Sequence, residues 1–69
     1  MITLDCLGQR CPLPVIKLAK SMPQVAVGEI VRVLADDPAA ANDIPAWCRM
    51  KGQELIATHG HQFDIRRLE

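Results

Sequence analysis

The stretch Ile2-Thr3-Leu4-Asp5-Cys6-Leu7-Gly8-Gln9-Arg10-Cys11-Pro12-Leu13-Pro14 decides how this chain of 69 residues is read. Ile2-Thr3-Leu4 alternates apolar and polar side chains, the pattern of a short strand with Ile2 and Leu4 inward. Pro12 and Pro14 suit the first turn of a helix. At the first helical position Pro12 lacks only an N–H that would have no intrahelical partner, and its fixed φ is already helical. The segment from Asp5 to Arg10 is short, partly polar and contains Gly8, so it reads as a strand-to-helix loop that leaves the next residue reachable. That residue is Cys11, directly before the helix. A thiol placed there meets free backbone N–H groups and the positive end of the helix dipole, both of which favour its ionised form. Cys11 is therefore the candidate nucleophile.

Working outward, Val15, Leu18, Ala19 and Met22 recur at three- and four-residue intervals while Lys17 and Lys20 lie off that stripe, which predicts an amphipathic helix that Pro23 ends. Val27-Gly28-Glu29 reads as a turn. Ile30-Val31-Arg32-Val33-Leu34 is rich in β-branched residues and predicts a second, largely buried strand. Ala35-Asp36-Asp37-Pro38 closes that strand and opens a second helix, with Asp37 as N-cap and Pro38 as the first helical residue. Ala40, Ile44, Trp47 and Cys48 share one face of it. Pro45 predicts a kink, or a helix that truly starts at Asp43 after a separate turn over 38–42. Gly52 is a natural stop. Residues 53–59 and 61–68 read as two strands of an antiparallel hairpin around Gly60. The order is β-α-β-α-β-β. A right-handed crossover makes the first two strands parallel, and two helices can cover only one side of four strands. The expected fold is an α/β two-layer sandwich: a four-stranded mixed sheet with both helices on one face, one domain over residues 1–69.

Composition narrows the function. Eight Lys and Arg balance eight Asp and Glu, giving a formal net charge of zero, and the chain has no Tyr, one Phe and one Trp. Such a chain lacks both the basic groove and the stacking platform of an independent nucleic-acid binder, and a broad grip on an anionic membrane is equally disfavoured. There is no basic-then-apolar leader and no apolar run long enough to span a bilayer, so the expected location is cytoplasmic. Three cysteines, an odd number, in a reducing compartment read as reactive or buried thiols rather than a disulfide framework.

Each remaining polar feature has its own reading. Cys48 lies on the apolar face with Ile44 and Trp47 and should be buried. Cys6 reads as a partly buried packing thiol, with resolution of a Cys11 adduct as the alternative. His59-x-His61 fits no usual zinc spacing and suits a hairpin tip, so neither metal nor cofactor is expected. Asp36 and Asp37 beside Pro38 read as residues that cap and charge a helix start rather than as a catalytic pair. Arg10 and Lys17 either add positive potential near the thiolate or form a solvated basic face.

The pattern Asp5-x-x-Gly8-x-x-Cys11-Pro12-x-Pro14 resembles the signature of the TusA/SirA-type sulfur-carrier family. The resemblance continues through Gly28-Glu29, Ala35-Asp36-Asp37-Pro38, Asp43-Ile44-Pro45, Trp47-Cys48 and Glu54-Leu55, and the middle segment is similar to the TusA branch, which relays sulfur toward 2-thiolation of the tRNA wobble uridine. It implies that Cys11 receives sulfur as a persulfide from a cysteine desulfurase and passes it to an acceptor protein. It also implies a sulfurtransferase-type carrier with no turnover apart from its partners, no cofactor, and a βαβαββ sandwich. Docking is then expected to proteins, around Cys11 and the exposed side of the first helix with Lys17 and Lys20. Alternatives are a dithiol redox module using Cys6 and Cys11, a non-catalytic module binding through its open sheet face, and a relay serving molybdenum-cofactor biosynthesis or sulfur oxidation.

Overall fold

Among the described residues, four strands and two α-helices follow one another as β1 (Ile2–Asp5), α1 (Leu13–Ser21), β2 (Ile30–Leu34), α2 (Ala40–Lys51), β3 (Glu54–His59) and β4 (Gln62–Arg66). The structure is a computed structural model that describes residues 1–10 and 12–69. The strands form one sheet in the order β1-β2-β4-β3. β1 and β2 are parallel, as the helical crossover requires, whereas β4 runs antiparallel to both β2 and β3. Inserting β4 between β2 and β3 places the two strands richest in buried apolar residues at the centre. Val31 and Val33 of β2 and Phe63 and Ile65 of β4 point to the helices, where they meet Leu18, Met22, Ala40, Ile44, Trp47 and Cys48.

The opposite face of the sheet carries ion pairs set by register. Arg32 stands directly across from Asp64 and Glu54 across from Arg66. The Arg32 guanidinium donates to both carboxylate oxygens of Asp64, at 2.9 and 3.3 Å, and Arg66 Nη1 donates to Glu54 Oε1 at 3.1 Å. β2 is therefore half-buried, its residues alternating inward and outward, rather than largely buried. With helices on one side only, period-two alternation is what a four-stranded sheet can bury.

The helices also refine the expectations. Pro12 is the N-cap of α1 rather than its first residue, Pro14 lies in the first turn, and the helix gives way to a 3-10 turn over Met22–Gln24 that contains Pro23. Pro14, Leu18 and Met22 face the core with Val15 beside them; Ala19 is exposed. α2 begins at Ala40, neither at Pro38 nor at Asp43, and Ala39 rather than Asp37 is its N-cap. Asp37 acts one turn earlier: Oδ1 accepts from the Ala39 N–H at 3.2 Å and its carbonyl from Ala40 N–H at 2.9 Å. Pro45 sits inside an unbroken α2, with Gly52 as its left-handed C-cap. Proline at that place removes the bond to the Ala41 carbonyl, and Ala41 lies on the exposed side, where water can serve instead.

The hairpin turns through Gly60-His61, with His59 opposite Gln62. β3 carries an irregularity between Leu55 and Ala57 that leaves Ile56 extra.

Candidate functional site

The loop between β1 and α1 is fastened at each step. Asp5 Oδ1 accepts from the Leu7 N–H at 3.1 Å, and the Gln9 N–H donates to the Cys6 carbonyl at 3.1 Å. Gly8 occupies the turn with φ of 78°, a conformation strained for any side chain, although a Cβ there would meet open space. Its N–H donates to Asp36 Oδ1 at 2.9 Å, which ties the loop to the end of β2. The Cys6 N–H, donating to the Leu34 carbonyl at 2.7 Å, continues the β1–β2 pairing to the loop's root. Asp36 is thus a loop tether and not a helix cap. The sequence contained the signal, an Asp beside a β-strand end with a glycine-bearing loop next to the parallel strand, but only the pairing of β1 with β2 reveals it.

This loop leads toward α1; Cys11, the candidate nucleophile, lies outside the described residues. Its neighbours define the setting. The Leu13 N–H donates to the Arg10 carbonyl at 2.8 Å and the Ile16 N–H to the Pro12 carbonyl at 3.0 Å. Pro12 and Pro14 have no N–H, so this helix start has fewer free donors than expected, and the peptide dipoles of α1 supply the remaining positive potential. No acidic residue stands in the first turn to oppose it. Beside the loop is a cleft of about 430 Å³ lined by Gly8, Gln9, Arg10, Asp36, Asp37 and Pro38. A groove of about 300 Å³ runs between α1 and α2 over Pro12, Val15, Asp43, Ala46, Trp47 and Met50.

The other two thiols are withdrawn from solvent. Cys6 is fully buried, and Cys48 is buried on the apolar face of α2. Burial pushes the Cys6 thiol up from its ordinary value, with Lys17 opposing and Asp5 adding to the shift. Burial likewise pushes Cys48 up to about 11, opposed by Arg49. Cys6 is more completely buried than the sequence suggested, because it joins the main hydrophobic cluster of the core. His59 and His61 are exposed at the hairpin tip, and no group of three or more His, Cys, Asp and Glu able to hold a metal occurs among the described residues. No helix among the described residues is long and apolar enough to cross a membrane.

The model of the family described as sulfurtransferase TusA matches residues 2–66. The chain belongs to that family. Two candidate sulfur carrier proteins of Archaeoglobus fulgidus are similar to it: one is 50% identical over 56 residues, covering 81% of this chain and 73% of the relative. The other is 43% identical over 56 residues, covering 81% and 77%. The crystal structure of a SirA-like protein from Desulfitobacterium hafniense superposes with a TM-score of 0.72 at 29% identity, covering 94% of this chain and 92% of that one. Members of the TusA family are sulfur carriers, so the βαβαββ sandwich here is a scaffold for moving sulfur between proteins.

Proposed function

We propose that Cys11 is the sulfur-carrying residue and that the protein relays persulfide sulfur in the cytoplasm from a cysteine desulfurase to an acceptor protein, for 2-thiolation of the tRNA wobble uridine. The observation that carries the assignment is the fate of the other sulfurs: Cys6 and Cys48 are both buried and both have raised pKa values. A carrier needs an accessible thiolate, and in a chain with three cysteines Cys11 is the one left for it. The helix dipole and the absence of acidic residues in the first turn favour ionisation there.

The chemistry is a sulfur-for-sulfur displacement. The Cys11 thiolate attacks the outer sulfur of the donor's persulfide; a bond forms between Cys11 Sγ and that sulfur, and the donor's S–S bond breaks with its electron pair leaving on the donor cysteine. The outer sulfur keeps its proton, and one persulfide is exchanged for another with no net oxidation. A second thiolate, on the acceptor, repeats the step on Cys11. Burial of Cys6 speaks against the dithiol alternative, since a resolving thiol must reach Cys11 and would discharge the cargo as a disulfide. The tRNA assignment rests on the similarity of the middle segment to the TusA branch.

The test is incubation with a cysteine desulfurase and ³⁵S-cysteine, followed by mass spectrometry of the cysteine-containing peptides. Added sulfur should map to Cys11, survive in Cys6→Ser and vanish in Cys11→Ser. Label retained on a folded Cys11→Ser variant would sink the assignment. For the acceptor, loss of the protein should lower wobble 2-thiouridine in cellular tRNA; an unchanged level would point to another pathway.

A further inference from the structure

The parallel pairing of β1 with β2 continues past the ends of the two strands. Asp5 is the last residue of β1 in register, opposite Leu34, and the Cys6 N–H adds a further bond to the Leu34 carbonyl at 2.7 Å. In a parallel ladder the next donor and acceptor lie two residues along each chain, at Gly8 and residue 36. The Gly8 N–H does donate to residue 36, at 2.9 Å, but to the side-chain Oδ1 of Asp36. The backbone there is already turning toward α2, for the next carbonyl, that of Asp37, accepts from the Ala40 N–H at 2.9 Å. The bonds at Leu7 and Gln9 close within the loop itself, whereas the Gly8 bond reaches across to the end of β2. Two features make that bond matter. Gly8, with φ of 78°, is the residue type with the widest backbone freedom. Gln9 Oε1 is buried with no hydrogen-bond partner among the described residues, a cost the loop would shed by rearranging if it were free to do so.

We infer that Asp36 is a positioning residue for sulfur transfer: its carboxylate stands in for the missing backbone rung and holds the β1–α1 loop in the conformation from which Cys11 reacts. The inference rests on the reading of Cys11 as the carrier and adds to it a residue that acts through Gly8 rather than on the sulfur. What Asp36 contributes is an acceptor, not a charge. With Asp37 it lines the cleft that Arg10, next to Cys11 in sequence, also lines, and negative charge opposes the ionisation of a neighbouring thiol. Placement is where the gain lies, because displacing a reacting atom by about 1 Å can slow a reaction by up to about a hundredfold. A loop freed at Gly8 is felt three residues on. Asp36 is exposed, so its removal opens no core cavity, and loss of the tether is separable from loss of the fold.

The test compares Asp36→Asn with Asp36→Ala in the full chain, since both remove the charge and only the second removes the acceptor. Cys11 alkylation by iodoacetamide is followed against pH by peptide mapping, and sulfur loading by a cysteine desulfurase is followed by mass spectrometry. Asp36→Ala should slow alkylation at pH 7 by roughly fivefold, with the midpoint of the pH profile moved toward the ordinary thiol value of about 8.5, and slow loading by roughly tenfold. Asp36→Asn should stay within about twofold of wild type in both, because a carboxamide oxygen accepts the same bond. The Gly8 amide should be protected from hydrogen exchange in wild type and Asp36→Asn and exchange fast in Asp36→Ala. The proposal is overturned if Asp36→Ala alkylates with the wild-type profile, or if Asp36→Asn is impaired as much as Asp36→Ala. It is also overturned if slowed alkylation comes with a collapsed urea midpoint, which would make Asp36 a residue of stability alone, or if the Gly8 amide of the wild type is unprotected, a result that needs no variant to fold. A wild-type Cys11 that alkylates readily yet takes no sulfur from the desulfurase overturns the carrier reading instead, and the alkylation profiles still decide the tether.

Discussion

The reactivity of the three thiols is the most direct consequence of the structure. At pH 7.5 a thiol with an ordinary pKa of about 8.5 is roughly 10% ionised. Cys48, pushed up to about 11, is ionised to only about 0.03% at that pH, roughly 300-fold less. Burial lowers its reaction further, because a reagent must wait for the core to open. Cys6, fully buried and raised in the same direction, should behave alike. Brief alkylation of the native protein with iodoacetamide, followed by peptide mapping, should therefore label Cys11 at least about a hundredfold faster than either other cysteine. The Cys11→Ser variant should be nearly inert until denaturant is added, when two thiols react at the ordinary rate. The reasoning is refuted if Cys6 or Cys48 in the folded protein reacts within about tenfold of Cys11, since neither burial nor a raised pKa would then be controlling reactivity.

Two predictions concern stability. Trp47→Ala removes the largest side chain joining α2 to the core and should cost about 3–5 kcal/mol in urea denaturation, enough to threaten a domain of this size. A well-folded variant that has lost only sulfur transfer would make Trp47 a docking residue instead. The Arg32 guanidinium holds the Asp64 carboxyl below its ordinary value, with burial opposing. A depressed native pKa stabilises the fold above the unfolded value of about 3.9 and is lost as pH falls through that value and the native one. The difference in urea midpoint between wild type and Asp64→Asn should accordingly be largest near neutrality and shrink below about pH 4; a constant difference would mean that the pair is not coupled to folding.

The sequence by itself determined the element order, the parallel start and antiparallel close of the sheet, the helix stripe of Leu18 and Met22, and the burial of Ile44, Trp47 and Cys48. These follow from local periodicity and from turn residues whose backbone preferences act within a few positions. The motif around Cys11 likewise carried the family. Tertiary structure alone decided the insertion of β4 beside β2, since four alternating strands fit several orders and only joint packing against both helices selects one. That order set the Arg32–Asp64 pair and made β2 half-buried, which its β-branched composition concealed. The pairing of β1 with β2 brought Asp36 to the Gly8 N–H, giving the acidic pair a use that local capping rules did not indicate. Pro45 fell inside a continuous α2 because burial of one helix face outweighed the loss of one backbone bond on the exposed side.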